Sequence, residues 1–254
     1  MHILAQAFSL PKAGNSKEEY EDAFWPEQQI DQSAEAFSFA VADGATETSF
    51  SGLWAKMLVR AYCRGKLVDK RLFKSLPNLQ RRWLEHVSKT PLPWFAEEKL
   101  RSGAFSSIVG LTIMHITSRH EGVARWNALA IGDSCLFQVR GKNLITSFPF
   151  TNSEQFNSRP SLLSSNPIYN EEILNSSMQK SGSLVHEDTF YLMTDALACW
   201  FLRGVESNQR PWEILRDFAT SEETAPFSDW IANLRKAHLI RNDDVTLLRV
   251  EINL

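Results

Sequence analysis

Four short acidic segments stand where apolar runs begin or end. Asp43-Gly44 follows Phe-Ala-Val-Ala, Gly132-Asp133-Ser134 follows Leu-Ala-Ile, Thr194-Asp195-Ala196 follows Phe-Tyr-Leu-Met, and Asp243-Asp244 precedes Val-Thr-Leu-Leu. Singly, each has a bland reading, because Asp-Gly after a strand is most often a turn and Thr-Asp ahead of a helix is a capping pair. Their combination reads differently. Strands that lie side by side bring their ends together, and clustered carboxylates repel one another unless a cation lies between them. Carboxylate, backbone carbonyl and water are hard oxygen ligands, which favour Mg²⁺ or Mn²⁺ over Zn²⁺.

Other chemistries lack their signatures. The six histidines, at 2, 86, 115, 120, 186 and 238, form no His-x-x-x-His pair, and no glycine-rich phosphate loop or Gly-x-Ser-x-Gly elbow occurs. His115 reads as a sheet residue, and His186 is a weaker candidate for delivering a proton to a leaving alkoxide. Cys135, beside Ser134, reads as a small packed side chain rather than a nucleophile.

The elements that must position the aspartates follow from periodicity. Residues 37–42 alternate large and small as a strand, and Leu53, Trp54, Met57, Leu58, Ala61 and Tyr62 recur at helical spacing, which predicts a helix over 52–66. Further helices are expected near 78–88 and 93–102, the second entered through Pro91 and Pro93. From Ser106 the stretches SSIVGLTIMHIT, VARWNALAIG and CLFQVR, with polar turns such as Arg119 to Gly122 and Arg140 to Asn143, predict an antiparallel meander. Residues 146–187, rich in Ser and Asn, carry no sustained period and read as a long excursion with one short helix near Glu171. A strand at 188–193, a helix from Ala196, helices near 211–219 and 227–238, and a strand at 245–252 complete the order. Strict βαβ alternation is missing, so an α+β layered sandwich in one domain over 1–254 is expected. Trp54, Trp83, Trp126 and Trp212 are expected in the core, with Trp25 and Trp94 partly exposed.

Composition excludes several classes. The 254 residues are 43% hydrophobic and 22% charged with a formal net charge of −3, which suits a globular chain and gives no nucleic-acid footprint. No apolar run of about 18 residues exists to span a bilayer, and no basic start leads an apolar segment. With three scattered cysteines, the expected location is the reducing cytoplasm.

The acidic elements and their order resemble the metal-dependent serine/threonine protein phosphatases of type 2C. Tyr20-Glu21-Asp22-Ala23-Phe24 resembles the family's Asn-Glu-Asp-Ala-Phe opening, FAVADGATETSFSG its strand, Asp-Gly turn and helix, and Ser102-Gly103-Ala104-Phe105-Ser106 its next strand opening. LAIGDSCLFQVRGKNL is similar to its Gly-Asp-Ser-Arg strand pair, FYLMTDAL to Leu-x-Ser-Asp-Gly-Leu, and RNDDVTLLRV to Asp-Asn-x-Thr-x-x-x-Val.

The resemblance implies an α-β-β-α sandwich of two mainly antiparallel sheets. It also implies that Asp43 bridges two Mg²⁺ or Mn²⁺ ions, with the Gly44 carbonyl, Asp195 and Asp243 completing the site. Asp22 or Glu21 would support the second ion through water, and Asp133 with Asp195 would hold a weaker third one. Lys17 stands where the family commonly has an arginine on the substrate phosphate, and lysine lacks the bidentate fork. The family's glycines after the first Asp-Gly are replaced in Ala45-Thr46-Glu47-Thr48, and Ala196 and Cys135 replace a glycine and an arginine.

The implied activity is hydrolysis of phosphoserine or phosphothreonine in a protein, opposite a serine/threonine kinase. Substrate choice would reside in 146–187, the family's variable flap. Two other readings stay open: a catalytically silent binding module, and hydrolysis of a small phosphorylated metabolite.

Overall fold

Alternation along the strands sorts the side chains into three apolar layers. In β4 (Ala36–Ala42), Phe39 and Val41 enter one buried cluster while Ala40 and Ala42 enter another on the opposite face. The structure, a computed structural model, describes residues 1–46, 50–67, 71–89, 102–117, 122–156, 160–171, 173, 177–218 and 225–254.

One sheet has five strands in the order β11 (Met178–Ser183), β7 (Gly122–Ile131), β6 (Ile108–Thr117), β4 and β2 (Ala23–Trp25). The other has six, in the order β3 (Ile30–Ser33), β1 (His2–Leu10), β13 (Val245–Asn253), β12 (Asp188–Met193), β8 (Cys135–Arg140) and β9 (Asn143–Phe148). All of their pairings are antiparallel. A short pair, β5 (Phe105–Ser106) with β10 (Leu163–Ser164), stands beside them.

The middle layer joins the two sheets through Ile3, Phe39, Val109, Ile113, Trp126, Phe190 and Leu248. The helices α1 (Ser51–Cys63) and α2 (Arg71–Val87) cover the five-stranded sheet, where Trp54 and Leu58 pack on Ala40, Ala42 and Ile131. On the six-stranded sheet lie α3 (Asp195–Glu206), α4 (Pro211–Arg216) and α5 (Ala225–Lys236), with Phe201 stacked 4.2 Å from Phe137. The result is the expected α-β-β-α sandwich.

Several expectations need correction. The run of strands from Ser106 is not one meander: β6 and β7 pair in one sheet, and β8 and β9 pair in the other. The chain changes sheets at Gly132-Asp133-Ser134, where Gly132 has φ +93° and a Cβ would come 2.6 Å from Ser107 Cβ. Strands β1 and β3 were not anticipated, although Ile3 and Ala5 alternate as buried residues in β1. The second helix starts at Arg71 and passes through Pro77, because the buried stripe of Leu76, Leu79, Trp83 and Val87 outweighs one missing backbone bond.

Within 146–187 lie the edge strand β11, the short β10 and two single helical turns at 153–155 and 167–169. The helix expected over 93–102 and Trp94 fall outside the described residues, as do most of the 119–122 turn and part of the short helix near Glu171. Trp54, Trp83, Trp126 and Trp212 are buried and Trp25 is partly exposed, as expected. Among the described residues no helix is long and apolar enough to cross a membrane.

Gly132→Ala forces a side chain into both a left-handed backbone and the Ser107 contact, so it destabilises the fold by about 1–3 kcal/mol. The urea unfolding midpoint checks this, and an unchanged midpoint contradicts the crossover geometry.

Candidate active site

The strand registers deliver the acidic ends to one edge of the sandwich. In the six-stranded sheet Met193 lies beside both Leu247 and Cys135, so Asp195 after β12, Asp243 and Asp244 before β13, and Asp133 before β8 are neighbours. Leu10 pairs with Val245, which brings the segment after β1 to the same edge. In the five-stranded sheet Ala42 pairs with Ala23 and Val41 with Val109, which sets Asp43 near Asp22 and Ser107. Ser107 fastens the two sheets here. Its N–H donates to the Asp43 carbonyl (2.9 Å), its Oγ accepts from the Asp43 N–H (3.3 Å), and its hydroxyl pairs with that of Ser134 (2.6 Å).

Gly44 occupies a place that only a glycine fits, since a Cβ would lie 2.7 Å from the Glu21 carbonyl oxygen and 2.8 Å from the Ser51 carbonyl carbon. It bridges to Ser106, and Ser106 pairs in turn with Leu163 of β10, so part of the 146–187 segment adjoins the Asp43-Gly44 turn.

The carboxylates then divide by role. Asp22 is buried; its Oδ2 accepts from Thr246 Oγ1 (2.6 Å), and its Oδ1 finds no donor among the described residues. Asp195, in the first turn of α3, pairs through Oδ2 with Arg241, and its buried Oδ1 also finds no donor there. Asp243 Oδ1 accepts the Asp244 N–H (3.1 Å). Asp244 is a fastening residue that sequence reading left off the site. Its two oxygens accept the N–H groups of Lys12 (2.8 Å) and Glu21 (2.7 Å), closing the 12–21 segment onto β13.

Glu21 turns its carboxylate to the Ser51 hydroxyl at the start of α1. Of the pair left open in the sequence, Asp22 is therefore the one whose carboxylate stands with Asp43. Lys17 is exposed, in a helical turn at 17–19. His186 lies at the start of β12, away from Asp195, where its Nδ1 accepts the Leu254 N–H (3.2 Å). Cys135 is buried, its thiol donating to the Asp133 carbonyl (3.3 Å), and burial pushes it far up from its ordinary pKa.

The electrostatics record burial first and crowding second. Burial, then the charges of Asp133, Asp243 and Asp244, push Asp43 up to about 8. Burial likewise pushes Asp133 up to about 6, opposed by Arg241, and burial with the Asp43 charge raises Asp22 well above the carboxylate range. The carboxylates share an edge without closing on one point: among the described residues no group of three or more His, Cys, Asp or Glu is arranged to hold a metal ion. The donor chemistry nonetheless fits a hard divalent cation. It consists of acidic oxygens, two of them buried without donors among the described residues, with Arg241 on Asp195 the one cationic side chain paired to them there.

The raised values fix the sign of a pH effect. Between about pH 4 and the folded values, the folded chain keeps protons that the unfolded chain has released, so stability falls as pH rises. In a chelating buffer the melting temperature therefore declines from about pH 5 through about 8, where Asp133 and then Asp43 ionise, and Asp43→Asn flattens the decline. A melting temperature that climbs over this range contradicts the picture.

No protein-family sequence model and no curated protein sequence matches the chain. Solved structures do. The Mycobacterium tuberculosis serine/threonine phosphatase PstP/Ppp is similar at a TM-score of 0.62 and 16% identity, over 100% of both chains. The catalytic domain of the serine/threonine phosphatase PstP in complex with two manganese ions gives 0.55 and 14%, over 99% of this chain and 100% of that one. RsbX in complex with magnesium gives 0.51 and 16%, over 98% and 95%. The sheet order, the covering helices and these full-length likenesses agree: the chain has the fold of the type 2C serine/threonine phosphatases.

Proposed function

We propose that this chain is a phosphatase that hydrolyses phosphoserine and phosphothreonine in proteins with the help of Mg²⁺ or Mn²⁺. The observation that carries the reading is the gathering of Asp22, Asp43, Asp133, Asp195 and Asp243 from separate strand ends at one edge, with Asp43 pushed up to about 8. The two manganese ions of PstP and the magnesium of RsbX support the choice of ions.

In this reading Asp43, the Gly44 carbonyl, Asp195 and Asp243 hold the ions, and Asp22 supports them from the buried side. Bound there, the ions supply an acidified water and charge to offset the phosphoryl oxygens. The chain's own part is positional. Ser107 holds the Asp43 backbone, Thr246 aims Asp22, and Asp244 ties down the 12–21 segment that carries Lys17. From that exposed turn Lys17 supplies positive charge to the phosphate of a large substrate. The whole chain acts as one phosphatase unit, with 146–187 as the flap where a phosphoprotein is selected.

One observation favours the silent binding module: Arg241 already pairs with Asp195. A single assay separates the two. Hydrolysis of p-nitrophenyl phosphate and of a phosphothreonine peptide is expected with Mn²⁺ or Mg²⁺ and not with EDTA, and Asp43→Asn or Asp195→Asn brings it down to the EDTA level. Lys17→Ala raises KM for the peptide more than it lowers kcat. A folded protein without turnover under any metal establishes the binding module instead.

A further inference from the structure

We infer that Arg241 is a built-in cation of the acidic centre, standing at the Asp195 and Asp133 end in place of a weakly held divalent ion. The inference rests on the phosphatase reading and adds to it a residue of this chain that competes with the cofactor.

Among the described residues Arg241 makes the one ion pair to a carboxylate of this edge, from its Nη2 to Asp195 Oδ2. Another nearby arginine is engaged differently. Arg235 donates from Nη1 to the Pro11 carbonyl (3.1 Å) and from Nη2 to the Asp243 carbonyl (2.6 Å), so its guanidinium fastens backbone and leaves the carboxylates alone.

Asp133 ends at the same edge, since Met193 of β12 lies beside both Leu247 of β13 and Cys135 of β8. A guanidinium paired with Asp195, at the edge where Asp133 also ends, supplies positive charge where an ion shared by the two residues would supply it. The side-chain exposures, 54% for Arg241 and 8% for Asp195, make the arrangement reversible. The arginine can swing into solvent without opening the core, while the carboxylate cannot follow. A divalent ion that binds Asp195 must therefore either displace Arg241 or bind beside a like charge, and both weaken its hold.

The test is direct binding of Mn²⁺, read from the electron paramagnetic resonance signal of the free aqueous ion as it is titrated into the wild-type chain, Arg241→Gln and Arg203→Gln. Circular dichroism establishes that each variant is folded. Arg203, on α3, lies beside the same small cavity as Arg241 but makes no pair with Asp195, so it controls for loss of a nearby positive charge. The expected result is that Arg241→Gln binds its weakest Mn²⁺ about tenfold more tightly than the wild type, about 1.4 kcal/mol, while Arg203→Gln matches the wild type. Uptake by Arg241→Gln alone supports the inference still more strongly.

Equal isotherms for the wild type and Arg241→Gln, with Mn²⁺ bound by both, overturn this inference and leave the phosphatase reading intact. Uptake by neither overturns both. If Arg241→Gln does not fold, labelling of the wild type with phenylglyoxal decides: saturating Mn²⁺ raises the modification of Arg241, and unchanged labelling overturns the inference.

Discussion

Two apolar sheet faces have to be buried against each other, and the position of every polar group at the site depends on that contact. Ile3, Phe39, Val109, Ile113, Trp126, Phe190 and Leu248 leave water together in the middle layer. At roughly 25 cal/mol per Å² of apolar surface, a layer of this size outweighs the repulsion among a few carboxylates. A slip of one residue in any of these strands would turn its apolar side chains to the wrong face, so the registers are held firmly. The acidic residues lie just past the paired segments and go where the registers send them. Their burial and crowding are thus by-products of a contact made elsewhere, and together they raise Asp43 and Asp133 above the ordinary carboxylate range.

The polar groups around the aspartates sort into those that fasten the backbone and those left with unused capacity. Asp244 spends both oxygens on backbone N–H groups of the 12–21 segment, while its neighbour Asp243 keeps its carboxylate next to its own loop. Thr246 holds Asp22 by one oxygen only, and Asp195 is held by one oxygen only. Asp195 also gains from lying in the first turn of α3, where the aligned peptide dipoles favour negative charge. Ordinary side-chain hydrogen bonds therefore set the shape of the site, while Asp22 and Asp195 each keep one buried oxygen without a donor among the described residues.

Much of this was legible in the chain itself. Asp43, Asp133, Asp195 and Asp243 stood out because each adjoins an apolar run whose strand character was plain, and antiparallel packing did the rest. Choosing between Glu21 and Asp22 needed the β2 to β4 pairing, which is a long-range fact. Arg241 was hidden for a related reason: it sits two residues before Asp243, and only the path of that loop turns it onto Asp195. β11 escaped because most of Met178–Ser183 is exposed, which leaves an edge strand with no alternation to read. The supposed meander failed at Gly132, a residue whose conformation permits a change of sheet without announcing one.

The strand order has a consequence for the timing of synthesis. β13 leaves the ribosome after the other described strands, yet it is an interior strand of its sheet, lying between β1 and β12, and Leu10 waits for Val245 as its partner. Until those residues emerge, Asp22 lacks Thr246, the 12–21 segment lacks Asp244, and Asp195 lacks Arg241. A partly made chain can therefore bury much of the five-stranded sheet and its helices while its acidic centre stays unassembled. Contacts between residues far apart in sequence are also slow to form. The centre is completed only when β13 has docked between β1 and β12.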